Sequence, residues 1–253
     1  MTTCELDSWF RALLSPEKFE SADPSRNGVQ VDNDGAEITR VAFAVDACLE
    51  TIERASRAGA GMLFVHHGLF WSDPETVTGA HYGRLRALLG ANMALYASHL
   101  PLDAHPEAGN NSGLAARLGL ENIQPFGEWR GAVIGFRGEF NPPVSLDEAL
   151  GRLFPDGKKP LHVLPFGPEK IRTAGVISGG ASDDVHQAIA LGLDLFVTGE
   201  ISHEIYHPSL ENGISVIAGG HYQTETVGVR LVAVRLARET GIDTVFIDVP
   251  TGL

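Results

Sequence analysis

The sequence is poor in cysteine and in basic residues. Its 253 residues include only Cys4 and Cys48, which are too few for a disulfide framework, and their spacing matches no thiolate zinc motif. Lys and Arg total 19 against 32 Asp and Glu, so the formal net charge is -13. This charge makes nucleic acid an unfavourable partner, because binding to phosphates needs a basic surface. The low cysteine content is typical of a reducing compartment, and we expect a cytoplasmic protein.

Long hydrophobic runs are also absent. No apolar segment approaches the length that spans a bilayer, and the first fourteen residues are acidic and amphipathic, without the positive region and apolar core of a signal peptide. We therefore expect no membrane association. The content of 43% hydrophobic and 20% charged residues is typical of a globular protein of one or two domains.

What the sequence does contain is a regular alternation of short apolar runs and amphipathic segments of roughly a dozen residues. This alternation predicts an α/β protein with a largely buried sheet. The predicted strands cover residues 40–45, 62–65, 93–98, 132–136, 162–164, 173–177, 195–198, 215–218 and 244–248. The predicted helices cover residues 6–14, 49–57, 82–89, 112–118, 146–154, 183–191, 203–210 and 227–239.

The two halves of the chain resemble each other. The apolar run 63–65 and the run 195–197 each follow a helix and a glycine-containing turn, and each leads directly into polar residues. Further along each half, an apolar strand is followed by a histidine with a carboxylate four residues later. An internal duplication explains this order, although a generic α/β rhythm would produce part of it by chance. We predict two similar halves, 1–127 with His-His and His-x-x-x-Asp motifs and 128–253 with a Gly-His-x-x-x-Glu motif.

Polar side chains follow the predicted strands, at the edge where ligands bind in open α/β sheets. They are His66, His67, His99, Asp103, Glu200, His221 and Glu225. Imidazole and carboxylate groups together suit zinc, iron or manganese, and the lack of thiolates favours a catalytic site. If the strand conformation persists, the adjacent His66 and His67 point to opposite faces, so one ion would rarely bind both, and two ions, one per imidazole, would resolve this geometry. A helix that starts by Gly220 would place His221 and Glu225 on one face.

A structural explanation competes with each of these assignments. A lone histidine is more often a surface or core-edge residue than a ligand, and carboxylates near helix starts are usually caps or dipole partners. No supporting pattern surrounds the four histidines His81, His105, His162 and His186. The repetition of the His and carboxylate patterns in equivalent places is what favours a metal site.

Five segments in this order resemble one known family over nearly the whole chain. The segments are Asn27-Gly28-Val29-Gln30-Val31, the run Phe64 to Trp71 with its His66-His67-Gly68, Ser98-His99-Leu100-Pro101-Leu102-Asp103, Thr198 to His203, and Gly220-His221-Tyr222-Gln223-Thr224-Glu225. Together they resemble the NIF-three-like family of GTP cyclohydrolase type 2 homologues, or dinuclear metal centre hexameric proteins, in its short form. This resemblance implies two interlinked α/β domains with a metal site in the cleft between them.

The resemblance also implies the ligands of two divalent ions. They would be His66, His67, Asp103, His221 and Glu225, with Glu225 bridging the ions. His99, Glu200 and His203 match family positions that lie near the metals or transfer protons, although a helix-start carboxylate and a solvated histidine explain the last two equally well. The familiar His-His-Pro reads His-His-Gly here, and His-Thr-x-x-Asp reads His-Leu-Pro-Leu-Asp. Neither departure changes a proposed ligand, but each changes the wall of the site.

The implied activity is metal-assisted hydrolysis of a small molecule. The family name suggests GTP, with activated water attacking the guanine carbon between two ring nitrogens, formate leaving and His99 shuttling the proton. No P-loop is present, so a nucleotide would depend on the metals and on scattered basic residues such as Arg84 and Arg86. The resemblance also implies a toroidal homohexamer. The alternatives are a non-catalytic metal-binding adaptor and a ring around DNA, the latter disfavoured by the charge of -13.

Overall fold

The computed structural model describes residues 1–73 and 75–253, and the chain falls into two compact units. The first unit comprises Met1–Leu102 and Gly228–Pro250, and the second comprises Asp103–Val227 and Thr251–Leu253. The helices are α1 (Thr3–Leu14), α2 (Leu49–Arg57), α3 (Gly79–Gly90), α4 (Leu100–Asp103), α5 (Asn110–Leu118), α6 (Leu146–Leu153), α7 (Val185–Ala190), α8 (Tyr206–Asn212) and α9 (His221–Thr240). The strands are β1 (Gly28–Val31), β2 (Arg40–Asp46), β3 (Met62–His67), β4 (Ala94–Ala97), β5 (Glu121–Trp129), β6 (Ala132–Val144), β7 (His162–Leu164), β8 (Ile171–Val176), β9 (Leu195–Thr198), β10 (Ser215–Ala218) and β11 (Asp243–Phe246).

The first unit is built on a five-stranded sheet of order β1-β4-β3-β2-β11. Strands β4, β3, β2 and β11 run parallel, and β1 pairs with β4 in the antiparallel direction. On one face of the sheet, Phe43, Phe64 and Tyr96 pack against Phe10 of α1, with ring centroids 4.7 to 6.4 Å apart. The strand residues that alternate with these aromatic residues form a second core of smaller apolar side chains, including Ala42, Leu63, Val65 and Leu95. Burial of both faces explains why these strands read as continuous apolar runs.

The second unit is built on a six-stranded sheet of order β5-β6-β8-β9-β10-β7. Strands β8, β9 and β10 are parallel, so their carboxyl ends lie at one edge. The antiparallel strands are β7, which pairs with β10, and the β5–β6 hairpin, which extends the sheet from β8. The three parallel strands are mostly buried, which again explains their apolar sequences.

The two sheets share a four-stranded arrangement. In the first, three consecutive parallel strands, β2, β3 and β4, are followed at the β4 side by the antiparallel β1. In the second, the corresponding strands are β8, β9 and β10, followed by the antiparallel β7. The matching apolar runs of the sequence lie in β3 and β9, at equivalent positions. This topology is the one that a duplicated sequence would produce.

The α/β prediction is confirmed, with differences in several elements. Strands β1 and β5 were not expected, and α9 begins at His221, six residues before the predicted start. The predicted halves 1–127 and 128–253 divide the sequence differently from the two compact units, because β11 pairs with β2 and belongs to the first sheet. Within the described residues, no helix has both the length and the apolarity that crossing a membrane requires.

Candidate metal centre

Three imidazoles of the first unit form a group that we call the histidine cluster: His66, His67 and His99. The first two end β3, and His99 follows β4, so parallel strand ends bring them together. One ring nitrogen from each lies within 4.8 Å of the other two. The ring centroids of His66 and His67 are 4.6 Å apart, which shows that the expectation of opposite faces was wrong. The cluster can therefore present adjacent histidines to a shared region.

The Nδ1 atom of every ring in the histidine cluster faces an acceptor. It lies 2.9 Å from the Ser98 carbonyl oxygen in His66 and 2.8 Å from Asp46 Oδ1 in His67. In His99 it lies 2.8 Å from Asp23 Oδ1. Carbonyl and carboxylate oxygens only accept hydrogen bonds, so each Nδ1 carries the proton and each Nε2 is the nitrogen suited to coordinate an ion. This arrangement is the one found around metal-binding histidines.

Asp23 is a member of the site that the sequence analysis missed. Its side chain is 0% exposed and accepts bonds from the Asn27 amide at 2.7 Å and from the backbone N–H of Leu100 at 2.9 Å, besides His99. Burial would raise the pKa of Asp23, but the hydrogen bond and charge of His99 and the bond from Asn27 hold it below its ordinary value. Asn27, the first residue of segment 27–31, could have pointed to Asp23. Its side chain donates a hydrogen bond to Asp23 and accepts the backbone N–H of His99.

The second unit carries a group that we call the carboxylate cluster: Asp103, Glu200, His221 and Glu225. Glu200 and His221 follow β9 and β10, at the shared edge of the parallel strands. His221 Nδ1 lies 2.5 Å from Glu200 Oε1, and its Nε2 lies 3.2 Å from Glu225 Oε1. The start of α9 at His221 satisfies the condition under which His221 and Glu225 share a helix face. The hydrogen bond with Glu225, opposed by burial and reinforced by both carboxylate charges, raises the pKa of His221 to about 9.

The loop after β8 supports the two buried carboxylates. Asp103 Oδ1 accepts bonds from Asn110 Nδ2 at 2.9 Å and from Ser178 Oγ at 3.1 Å. Next to Ser178, Gly179 has a φ of +65°, and a Cβ there would come within 2.2 Å of Glu225 Oε1. The backbone of Gly179 therefore makes room for this carboxylate. Asn110, Ser178 and Gly179 were not predicted. Ser178 and Gly179 reach the carboxylates only through contacts between distant parts of the chain, and no local pattern marks Asn110, which follows Asp103 by seven residues.

The remaining candidate histidines lie elsewhere. His203 is exposed at the start of a short 3-10 helix, His203–Ile205, and among the described residues it belongs to neither cluster. His105 Nδ1 accepts the backbone N–H groups of Glu107 and Ala108, which is a structural role. His81 is buried against the ring of Phe70, while His162 and His186 are exposed. The positions of His81, His105, His162 and His186 agree with the explanation that these histidines are structural or surface residues.

The donor chemistry of both clusters fits a divalent cation. Imidazole Nε2 atoms with ordered Nδ1–H bonds are ligands for zinc, iron and manganese, and so are carboxylates such as Asp103, which accepts bonds from the neutral donors Asn110 and Ser178. The fold and these clusters together define an α/β protein with a candidate metal-binding site. The chain can be assigned more narrowly from its matches to known proteins.

Residues 1–252 match the family described as Duf34/NIF3 (NGG1p interacting factor 3), and the chain belongs to that family. The chain is 50% identical to a protein of Treponema pallidum and 43% identical to one of Deinococcus radiodurans, both named GTP cyclohydrolase 1 type 2 homolog. The first match covers 100% of both chains, and the second covers 98% of this chain and 94% of the other protein. A solved structure, TTHA1606 from Thermus thermophilus, matches with a TM-score of 0.91 and 38% identity over 100% of both chains. The family resemblance predicted from the five sequence segments is thus confirmed.

Proposed function

We propose that this chain is a dinuclear, divalent-metal-dependent hydrolase. The observation that carries the proposal is the common orientation of the candidate histidines: His66, His67, His99 and His221 each direct Nδ1 to an oxygen acceptor. An oxygen acceptor on Nδ1 is the usual arrangement of metal-binding histidines, because it fixes the tautomer and leaves Nε2 for the ion. The residues that would hold the ions are those that the family resemblance implies, His66, His67, Asp103, His221 and Glu225.

The buried carboxylates support this assignment on energetic grounds. Asp103 is 6% exposed and Glu225 is 3% exposed. Carboxylates in such positions are stable when they are paired with a cation or with good hydrogen-bond donors. Asp103 lies beside Ser178, and Glu225 lies beside His221, so the second unit supplies carboxylate oxygens and an imidazole as donors. The first unit supplies further imidazoles.

The chemistry of the reaction would be divided between ions and protein. Two divalent ions lower the pKa of water and polarise an electrophile. His67 and His221 would be oriented by Asp46 and Glu200, and the Nε2 atom of His99, with Nδ1 on Asp23, is suited to accept or deliver a proton. GTP is the first substrate to test, since the names of the Treponema and Deinococcus relatives refer to GTP cyclohydrolase.

The first experiment is the metal content of untagged protein by plasma mass spectrometry, followed by turnover assays with the identified metal. About two ions per chain and release of formate from GTP support the full proposal. Two ions without turnover of nucleotides or phosphoesters would favour a metal-binding adaptor instead. If no ion binds after reconstitution with zinc, manganese or anaerobic ferrous iron, the proposal is wrong.

The resemblance makes two further predictions. A toroidal homohexamer can be tested by measuring the mass of the protein in solution, and a cytoplasmic location can be tested by cell fractionation.

A further inference from the structure

A cavity of about 420 Å³ adjoins the histidine cluster in the first unit. Its volume lies within the range of roughly 300–1,000 Å³ that is usual for small-molecule sites. Its lining includes the aromatic side chains of Phe70 and Trp71 and the polar side chains of Asn27 and Gln30. The other lining residues are Val29 and the polar or charged Arg26, Ser72, Asp73 and Glu75, so the two aromatic rings supply most of the apolar wall.

Trp71 and Asn27 belong to the cavity and also touch the histidine cluster. The Trp71 ring lies 5.2 Å from the His99 ring in an edge-to-face arrangement and 6.3 Å from the His67 ring. Asn27 accepts the backbone N–H of His99 at 2.8 Å. Trp71 and Asn27 therefore connect the cavity with the histidine cluster.

The wall that carries Trp71 is held in place by Gln30. The Gln30 side-chain oxygen accepts the N–H groups of Leu69 and Phe70 at 2.7 and 3.1 Å, and its amide nitrogen donates to the Phe70 carbonyl at 3.2 Å. A Cβ at Gly68 would lie 2.4 Å from the Gln30 side-chain oxygen, so the glycine allows Gln30 to approach this closely. These hydrogen bonds order the backbone next to Trp71 before a ligand binds, which favours affinity.

The charged side chains of the lining favour an uncharged part of a substrate over a phosphate group. Arg26 supplies one positive charge, and Asp73 and Glu75 supply two negative charges, all from exposed side chains. A phosphate group would meet more repulsion than attraction here. A planar, uncharged ring would gain from contact with Trp71 and Phe70, since every nucleobase can stack on an aromatic side chain.

We propose that the cavity beside Trp71 binds the purine ring of the substrate and holds it next to the histidine cluster. The proposal rests on the proposed function, which identifies the ring as a purine and as part of a substrate. It assigns Trp71 to ring binding.

The test is titration calorimetry of the full-length, metal-loaded protein with guanosine, which has the ring without phosphate, and with ribose 5-phosphate, which has the phosphate without the ring. We expect saturable binding of guanosine at one site per chain and no comparable binding of ribose 5-phosphate. Trp71→Leu should weaken guanosine binding about tenfold or more, the scale of a lost base–aromatic contact, and Trp71→Phe should retain most of it. The matched control is Trp129→Leu, because Trp129 is 44% exposed in the other unit.

Three results would overturn the proposal: no guanosine binding, equal binding of ribose 5-phosphate, or an unchanged affinity in Trp71→Leu. Metal content and thermal stability of each variant show whether a loss of binding comes from a damaged site. Two bound ions without guanosine binding would reject the ring pocket and leave the hydrolase proposal standing. Guanosine binding by a protein that holds no metal ions would reject the hydrolase proposal and leave the ring pocket standing.

Discussion

His67 Nδ1 lies 2.8 Å from Asp46 Oδ1, and the parallel register of β2 and β3 places these two residues side by side. The carboxylate thus fixes the tautomer and orientation of an imidazole that ends the neighbouring strand. Partners of this kind orient a metal-binding imidazole and make it more basic, so they contribute to metal affinity without touching the ion.

Asp46→Ala should therefore lower metal affinity by about 10–100-fold, and Asp46→Asn should have a smaller effect because its amide oxygen still accepts the Nδ1 proton. Competition with a chelator of known affinity measures both changes. Asp243→Asn serves as the control, since Asp243 pairs with Arg40 at an exposed position of β11. Wild-type affinity in Asp46→Ala would contradict the role of Asp46.

Glu225→Gln should release both ions if Glu225 bridges them, while the fold persists. The change removes a charge without changing shape, and the amide is a poor substitute for a bridging carboxylate. Plasma mass spectrometry gives the ion content, and circular dichroism checks the fold. Glu211→Gln, an exposed change on α8, should retain both ions. Two ions per chain in Glu225→Gln would refute the bridging assignment.

His99→Ala separates two roles of one imidazole. If His99 transfers protons, the variant should keep near-normal metal content and lose about 10²- to 10⁴-fold in turnover, the usual contribution of general acid–base catalysis. If His99 is instead a third imidazole ligand, as its place in the histidine cluster allows, metal content should fall together with turnover. Full activity in the variant would eliminate both roles.

Gly179→Ala should weaken metal binding and stability together. The new Cβ would come within 2.2 Å of Glu225 Oε1, in addition to the strain of a φ of +65°. Gly213→Ala provides a matched control, because Gly213 has a φ of +63° and its nearest neighbour, the Phe166 carbonyl oxygen, would be 3.7 Å away. Each variant should lose about 1–2 kcal/mol of unfolding free energy from the backbone, and only Gly179→Ala should also lose metal. Equal metal affinity in the two variants would contradict this account.

Asp184 should make stability depend on pH. Burial, opposed by a bond from Gln187 and assisted by the charge of Asp183, raises its pKa from 3.8 to about 6. The folded state therefore binds this proton more tightly than the unfolded state, so the contribution is full below pH 4 and is lost as the pH rises through about 6.

Urea unfolding from pH 4 to 8 tests this expectation. Asp184→Asn should remove this part of the pH dependence and be more stable than wild type at pH 8, by on the order of 2 kcal/mol. Asp183→Asn should retain the dependence, because the burial of Asp184, its main cause, is unchanged. Parallel stability curves for wild type and Asp184→Asn would show that Asp184 has no such effect.

The sequence predicted the strands that carry the site. β2, β3, β4, β9 and β10 are buried almost throughout and read as apolar runs, and β8 is buried in its last three residues. It did not predict β5, whose residues are mostly exposed and include Pro125, so that neither an apolar run nor regular alternation marks it. The start of α9 was also missed. Gly219 and Gly220 precede it, and the regular apolar pattern begins only after Glu225.

The sequence by itself determined the α/β class, the family, and the residue types available to bind a metal, because these depend on local pattern and on motifs within short segments. The tertiary structure decided that the Nδ1 atoms face Asp46, Asp23 and Glu200, that Gly179 accommodates Glu225, and that β11 joins the first sheet. These relations join residues 20 or more positions apart. They arise from strand order and register, which periodicity along a single chain does not encode.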